Sequence, residues 1–267
     1  MFSAGDDPGP DFAELVRRVS PAPVGGDAAH GLTITHGTTV VAVRYADGVL
    51  MAGDRRATSG HLISHRTMEK VFPADRFSGV AIAGAAGPAM DMVKLFQLQL
   101  EHYEKVEGEH LSLEGKANQL STMVRNHLPA AMQGLTVVPL FAGYDLRRQV
   151  GRLFQYDITG GRYEESDYAS TGSGSLHAAT VVKLGFHNGL DRGAVMDLAL
   201  KALFQAADED SATGGPDLIR GIYPVMATIT SRGFERAEDV EIAERFGALT
   251  DELRVTRSST TSGGAPS

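Results

Sequence analysis

The chain contains no cysteine, which excludes disulfides, thiolate metal sites and a cysteine nucleophile. It also lacks a surplus of positive charge. Its 25 Lys and Arg stand against 33 Asp and Glu, a formal net charge of -8. With no basic cluster to offset that balance, neither nucleic acid nor an anionic membrane is expected as a main partner. No apolar run approaches the ~18 residues needed to span a bilayer. The first residues lack the apolar centre of a secretory signal and are acidic at Asp6, Asp7 and Asp11. These absences together predict a cytoplasmic protein, and no metal or cofactor is expected. What is present, 42% hydrophobic and 22% charged residues in a chain of 267, is the composition of a soluble globular protein with a sizeable core.

Residues 1–37 are rich in Gly, Pro, Ala and Asp, with short apolar islands such as Phe12-Ala13-Glu14-Leu15-Val16. Such a segment can bury little surface, so a mobile leader is expected there. At the other end, residues 255–267 turn to Ser, Thr, Gly and Pro and are expected to form a disordered tail. The organised domain is expected over 38–254. It opens with a hairpin, strands at 39–45 and 49–53 around the turn Ala46-Asp47-Gly48. A buried strand follows at 80–84, then two helices, the first with Val93, Phe96, Leu100 and Tyr103 on one face and the second through 113–128. Strands are expected again at 137–144, 152–157 and 163–170, helices at 175–184 and 192–207, a strand at 225–230 and a helix at 240–253. Strand blocks and helix blocks are segregated. That order points to antiparallel sheets covered by helices, an α+β fold, and not to alternating βαβ units.

The sharpest feature is the junction His36-Gly37-Thr38-Thr39-Val40-Val41, where the leader becomes a strand. Asp54 and Lys70 follow Thr38 by sixteen and thirty-two residues. A threonine hydroxyl is a weak nucleophile unless a base takes its proton. Its own α-amine, with an ordinary pKa of about 7.7–8.0, can be that base near neutral pH. This solution requires Thr38 to become N-terminal by cleavage of the Gly37-Thr38 bond. Gly37 suits that bond, because it has no Cβ to hinder close approach. Lys70 would lower the pKa of the neighbouring amine and hydroxyl, and Asp54 would hold Lys70 charged and oriented. The Gly84 amide, at the end of a strand, is a candidate oxyanion donor. Singly, these signals are ordinary: Thr-Thr opens many strands, and Gly-Asp-Arg-Arg is a common turn. Their combination is far more specific.

Gly37-Thr38-Thr39-Val40-Val41-Ala42-Val43, Gly53-Asp54-Arg55-Arg56-Ala57-Thr58 and Lys70-Val71-Phe72 resemble the β subunit of the 20S proteasome. The segments 101–108, 131–135 and 208–217 resemble the bacterial form found in actinobacteria. The resemblance covers roughly residues 34–250. It implies a four-layer αββα sandwich of the N-terminal-nucleophile hydrolase type and a threonine endopeptidase that removes its own propeptide, residues 1–37. Thr38 would be the nucleophile, Asp54 and Lys70 the charged pair, and Gly84 the oxyanion donor. Ser173, Asp210 and Thr213 would support the Thr38 amine, Thr213 standing where a serine is commoner. Thr58 and Ala86 would give backbone contacts to an extended substrate. Ala57, Met68, Phe72, Ile82, Ala86 and Met90 would line the first specificity pocket, an apolar set that favours bulky apolar P1 residues. Partners implied are α subunits and further β subunits in stacked heptameric rings, a 28-subunit α7β7β7α7 core. A ring-shaped ATPase and substrates tagged by a small ubiquitin-like protein are implied as well. The alternatives are a simpler two-ring bacterial threonine protease, a small-molecule acylase of the same superfamily, and a non-catalytic ring subunit; the last typically lacks the threonine, aspartate or lysine, all present here.

Overall fold

The structure, a computed structural model, describes residues 37–261, with side chains described through Val255. Most of the expected leader and the end of the expected tail therefore lie outside the described residues. In chain order the described elements begin with six strands: β1 (Thr39–Tyr45), β2 (Gly48–Gly53), β3 (Ala57–Ser59), β4 (Leu62–His65), β5 (Val71–Asp75) and β6 (Ser78–Gly84). Three helices follow, α1 (Ala86–Glu107), α2 (Leu113–Asn126) and the single turn α3 (Leu128–Ala131). Next come β7 (Val137–Asp145), β8 (Val150–Tyr156), β9 (Arg162–Glu165) and β10 (Tyr168–Gly172), then α4 (Ser175–Gly185) and α5 (Arg192–Glu209). The chain closes with β11 (Val225–Thr230), β12 (Gly233–Arg236) and α6 (Asp239–Thr261).

Two five-stranded antiparallel sheets form the centre, in the orders β10-β1-β2-β11-β12 and β5-β6-β7-β8-β9, while β3 and β4 pair as a separate hairpin. Side chains alternate along each strand, so both faces of each sheet must find apolar cover. Val41 and Val43 of β1, with Leu50 and Ala52 of β2, pack against α4, α5 and α6. Their neighbours Val40, Ala42, Val49 and Met51 meet Leu140, Ala142 and Leu153 of the other sheet. Val80 and Ile82 of β6 and Phe141 of β7 face α1 and α2 through Phe96, Leu100 and Leu120. Three apolar layers thus join four structural ones, helix–sheet–sheet–helix. Burial on both faces explains why β1, β2 and β11 read as unbroken apolar runs instead of alternating ones.

Local sequence sets the ends of the elements. Ser112 accepts the Gly115 amide and starts α2, and Asp191 accepts the Ala194 amide and starts α5. The expected strand over 163–170 is divided: β9 belongs to one sheet and β10 to the other. The step falls at Ser166-Asp167, where the Asp167 carbonyl takes the Arg44 amide of β1. The last helix, expected over 240–253, continues to Thr261, so the stretch beginning at residue 255 starts as helix. The β3–β4 hairpin, β5 and β12 were not legible, being short and, in β4, exposed throughout. Among the described residues no helix is long and apolar enough to cross a membrane.

Candidate active site

The residues singled out in the sequence gather where several elements end. Thr38 immediately precedes β1, and Asp54 follows β2 directly. Lys70 leads into β5, Ser173 follows β10, and Asp210 caps the end of α5. Thr38, Asp54, Lys70 and Thr213 are all buried, Asp54 and Thr213 completely.

Asp54 is held by four donors from four segments. Its Oδ1 accepts the Lys70 ammonium at 2.7 Å and the Thr39 amide at 2.8 Å. Its Oδ2 accepts the amides of Arg56 at 2.9 Å and Gly214 at 2.8 Å. Both oxygens of this buried carboxylate are thus matched by donors. Lys70 has three N–H bonds and three acceptors: Asp54, the Arg56 carbonyl at 2.6 Å and the Gly37 carbonyl at 3.3 Å. Burial pushes its pKa below the usual lysine value, and the Asp54 charge pulls in the opposite direction. The full set of acceptors favours the ammonium form, with one N–H bond directed at a peptide carbonyl.

That carbonyl belongs to the bond before Thr38. The Thr38 hydroxyl lies 2.7 Å from the same Gly37 oxygen, so two donors polarise it at once. The Gly37 amide in turn donates to the Thr58 hydroxyl at 3.3 Å. Only glycine fits here: a Cβ at position 37 would fall 2.0 Å from the Ala212 Cβ and 2.3 Å from the Ala212 carbonyl oxygen.

On the opposite side of Thr38, its amide donates to Ser173 Oγ at 3.3 Å. Ser173 gives its single proton to Asp210 Oδ2 at 2.5 Å, and Thr213 donates to the same oxygen at 2.6 Å. Burial works to raise the Asp210 pKa, but these two hydroxyls and the Ala212 amide outweigh it and leave the carboxyl below its ordinary range. Among the described residues, with the Gly37–Thr38 bond intact, no hydrogen bond joins Thr213 to the Thr38 nitrogen. Thr213 instead meets the Thr39 hydroxyl at 2.6 Å, because its proton is committed to Asp210 and Ser173 occupies the place beside Thr38.

Gly84 ends β6 with a φ of +114°. Among the described residues no hydrogen bond joins it to Gly37 or Thr38; the partners of the Gly37 oxygen are Lys70 and the Thr38 hydroxyl. Of the expected pocket residues, Phe72, Ile82 and Met90 share one apolar cluster under α1. Ala86 opens α1, Ala57 and Thr58 lie in β3, and the Met68 amide donates to the Arg55 carbonyl at 3.0 Å. All of these except Ile82 are half-buried.

Residues 34–219 match the family model described as Proteasome subunit. The chain belongs to the proteasome subunit family. A proteasome subunit beta of Acidimicrobium ferrooxidans is 58% identical over 246 residues, 91% of this chain and 90% of that protein. A proteasome subunit beta of Streptomyces griseus is 59% identical over 209 residues, 78% of this chain and 74% of that protein. The likeness to the actinobacterial β subunit read from the motifs thus extends over most of the chain, and the two helix-flanked antiparallel sheets are the proteasome α+β fold.

Sequence reasoning missed several parts of this proteasome-family site. Thr39 lies in the junction motif but carries no role legible from sequence, yet its amide holds Asp54 and its hydroxyl holds Thr213. The Arg56 carbonyl and the Gly214 amide are backbone groups, whose contacts no residue pattern announces.

Proposed function

We propose that this proteasome-family chain is the catalytic β subunit of a core particle, a threonine endopeptidase that matures by cutting its own Gly37-Thr38 bond. The supporting observation is the pairing of nucleophile and electrophile: the Thr38 hydroxyl 2.7 Å from the Gly37 carbonyl oxygen, with the Lys70 ammonium 3.3 Å from that same oxygen. In self-cleavage Thr38 Oγ bonds to the Gly37 carbonyl carbon, and Lys70 stabilises the charge that develops on oxygen. The Gly37–Thr38 C–N bond then breaks, with the hydroxyl proton ending on the Thr38 nitrogen. Residues 1–37 remain attached as an ester, which water hydrolyses to a Gly37 carboxylate and a regenerated Thr38 hydroxyl.

Maturation creates the base that the mature enzyme needs. The new Thr38 amine takes the hydroxyl proton while Oγ attacks the scissile carbonyl of a substrate, the departing amine collects that proton, and water releases the acyl group. Asp54 keeps Lys70 charged, and Ser173 with Asp210 orients the amine. Gly84 is assigned as a further donor to the oxyanion. The half-buried apolar surface of Phe72 and Met90, with Ala57, Met68 and Ala86 around it, supports a preference for bulky apolar P1 residues. Thr58 and Ala86 would hold the extended substrate backbone. The relatives' name, proteasome subunit beta, supports assembly with other subunits in a proteasome core, which in this reading is a cytoplasmic stack of heptameric α and β rings. An ATPase ring that delivers unfolded, tagged proteins completes this reading.

The decisive experiment is the intact mass of the subunit after assembly with α subunits. A loss of residues 1–37, absent in Thr38→Ala, is the expected result; a cut before Thr39 would remove Thr38 from the mechanism. Turnover of an unstructured polypeptide, and not merely of a small amide, separates the endopeptidase from an acylase. Aromatic P1 peptides should be cleaved faster than acidic ones.

A further inference from the structure

We propose that Thr39, the residue after the nucleophile, is a positioning residue whose hydroxyl sets the direction of the hydrogen-bond chain that aims the Thr38 amine. The inference rests on the reading of Thr38 as an N-terminal nucleophile.

Thr39 is wholly buried, and its hydroxyl has two neighbours: the Gly174 amide at 3.1 Å and the Thr213 hydroxyl at 2.6 Å. Proton counting fixes who donates. The Gly174 N–H can only donate, so Thr39 Oγ accepts it. The Asp210 carboxylate can only accept, so Thr213 spends its single proton on Asp210 Oδ2 at 2.6 Å, and Ser173 does the same at 2.5 Å in preference to the Thr38 carbonyl at 3.3 Å. Thr213 then has only a lone pair to offer Thr39, and the Thr39 hydroxyl must be the donor. The chain therefore runs one way, from Gly174 N–H through Thr39 and Thr213 to Asp210, with Ser173 donating to Asp210 from the other side. As a result Ser173 turns a lone pair, not a proton, toward the Thr38 nitrogen. A free amine placed there donates one N–H to Ser173 and keeps its own lone pair for the Thr38 hydroxyl proton.

The surroundings are built around this chain. A Cβ on Gly174 would lie 2.4 Å from Thr39 Oγ and 2.8 Å from Thr213 Oγ, so a side chain at 174 would drive the two hydroxyls apart. The charged groups around the Thr38 nitrogen are Asp54 and Lys70 from the strand ends, with the Arg56 charge acting on Lys70, and Asp210 behind Ser173 on the helix side, with the His177 charge acting on Asp210. Thr39 touches both sets, giving its amide to Asp54 and its hydroxyl toward Asp210. A hydroxyl that accepts a hydrogen bond donates more strongly. Without the Thr39 proton, Thr213 therefore neutralises less of the Asp210 charge, and the nearby amine is more easily protonated.

The test uses the assembled particle and a fluorogenic peptide with an apolar P1 residue. Thr39→Val and Thr39→Ala should lower kcat about tenfold with KM unchanged. They should also move the acid limb of the kcat/KM profile to higher pH, and Thr39→Ser should restore both. A normal profile in Thr39→Val would overturn the proposal, as would a Thr39→Ser variant no better than the valine. It would equally fail if the Val and Ala variants cannot accumulate as folded subunits while Ser can, since Thr39 would then be purely structural. Thr38→Ala runs in parallel: turnover surviving there removes the threonine-protease reading itself, whatever Thr39 does.

Discussion

Two buried cations serve opposite ends of the second sheet, and only one of them faces unfinished chemistry. Arg152 on β8 donates to Glu164 at 2.6 Å, to Glu114 at 2.7 Å and to Asp145 at 3.1 Å, and its guanidinium also lies over the Phe154 ring. Three carboxylates from β7, β9 and α2 absorb its charge, and those contacts clamp the helix to the sheet. Lys70 has a single carboxylate, Asp54; its other acceptors are two backbone carbonyls, one of them at the bond before Thr38. A charge closed off by its counter-ions is a fastener. One left partly open toward a carbonyl can act on it, because the favourable interaction grows as that oxygen becomes an anion.

The largest expected effect separates these roles. Lys70→Ala should reduce peptidase activity by about 10³-fold or more while the subunit still folds. Retained turnover would make Lys70 a fastener as well. Arg152→Ala should do the reverse, costing about 3 kcal/mol of stability in a denaturant titration, with normal activity in the molecules that remain folded. A selective loss of kcat in that variant would break the comparison.

Next in size is the junction itself. Gly37→Ala should slow release of residues 1–37 at least about tenfold in a time course followed by mass, since an off-position near-attack geometry is costly. Ala212→Gly should rescue it poorly, because the obstruction includes the Ala212 carbonyl oxygen at 2.3 Å as well as its Cβ. Efficient rescue would locate the crowding in the side chain alone.

A smaller effect follows from Asp210. Its carboxyl is held below its ordinary pKa by Ser173 and Thr213 against the opposing effect of burial. The sign is that of a depressed acid: the stabilisation is present above the unfolded-state value of 3.8 and is lost as pH falls through the lower folded-state value. Asp210→Asn should therefore be less stable than the parent at neutral pH, and the gap should narrow in thermal melts taken through that acid range. A gap independent of pH would assign the effect to shape, not charge. Smallest of all, Thr213→Ser keeps the hydroxyl and loses one buried methyl, so its cost should stay near ~1 kcal/mol with an unchanged rate.

Much of the site was legible because side chains that are ordinary one by one occur here in a specific combination. Thr38, Asp54 and Lys70 stood out through a fixed spacing in a motif, and the two long sheets through their apolar runs. Gly84 was named for an amide whose use depends on a bound carbonyl. The contacts of Thr213 with Thr39 and Asp210 were not legible, because a motif gives residue type and not where its one proton goes. The division of 163–170 between β9 and β10 escaped notice for a related reason: propensity favours strand on both sides of Ser166-Asp167, and only pairing with Arg44 tells which sheet each half joins. Short or exposed elements such as β4 carry too little apolar pattern to be seen.

The four donors around Asp54 have a consequence for timing. They come from residues 39, 56, 70 and 214, the last 160 positions away along the chain. A nascent or half-folded chain that has not yet brought residue 214 home leaves a buried anion short of a partner, with Lys70 correspondingly loose. If Thr38 and Lys70 cut as proposed, the apparatus is armed only when nearly the whole polypeptide is in place, a safety catch made from ordinary backbone amides.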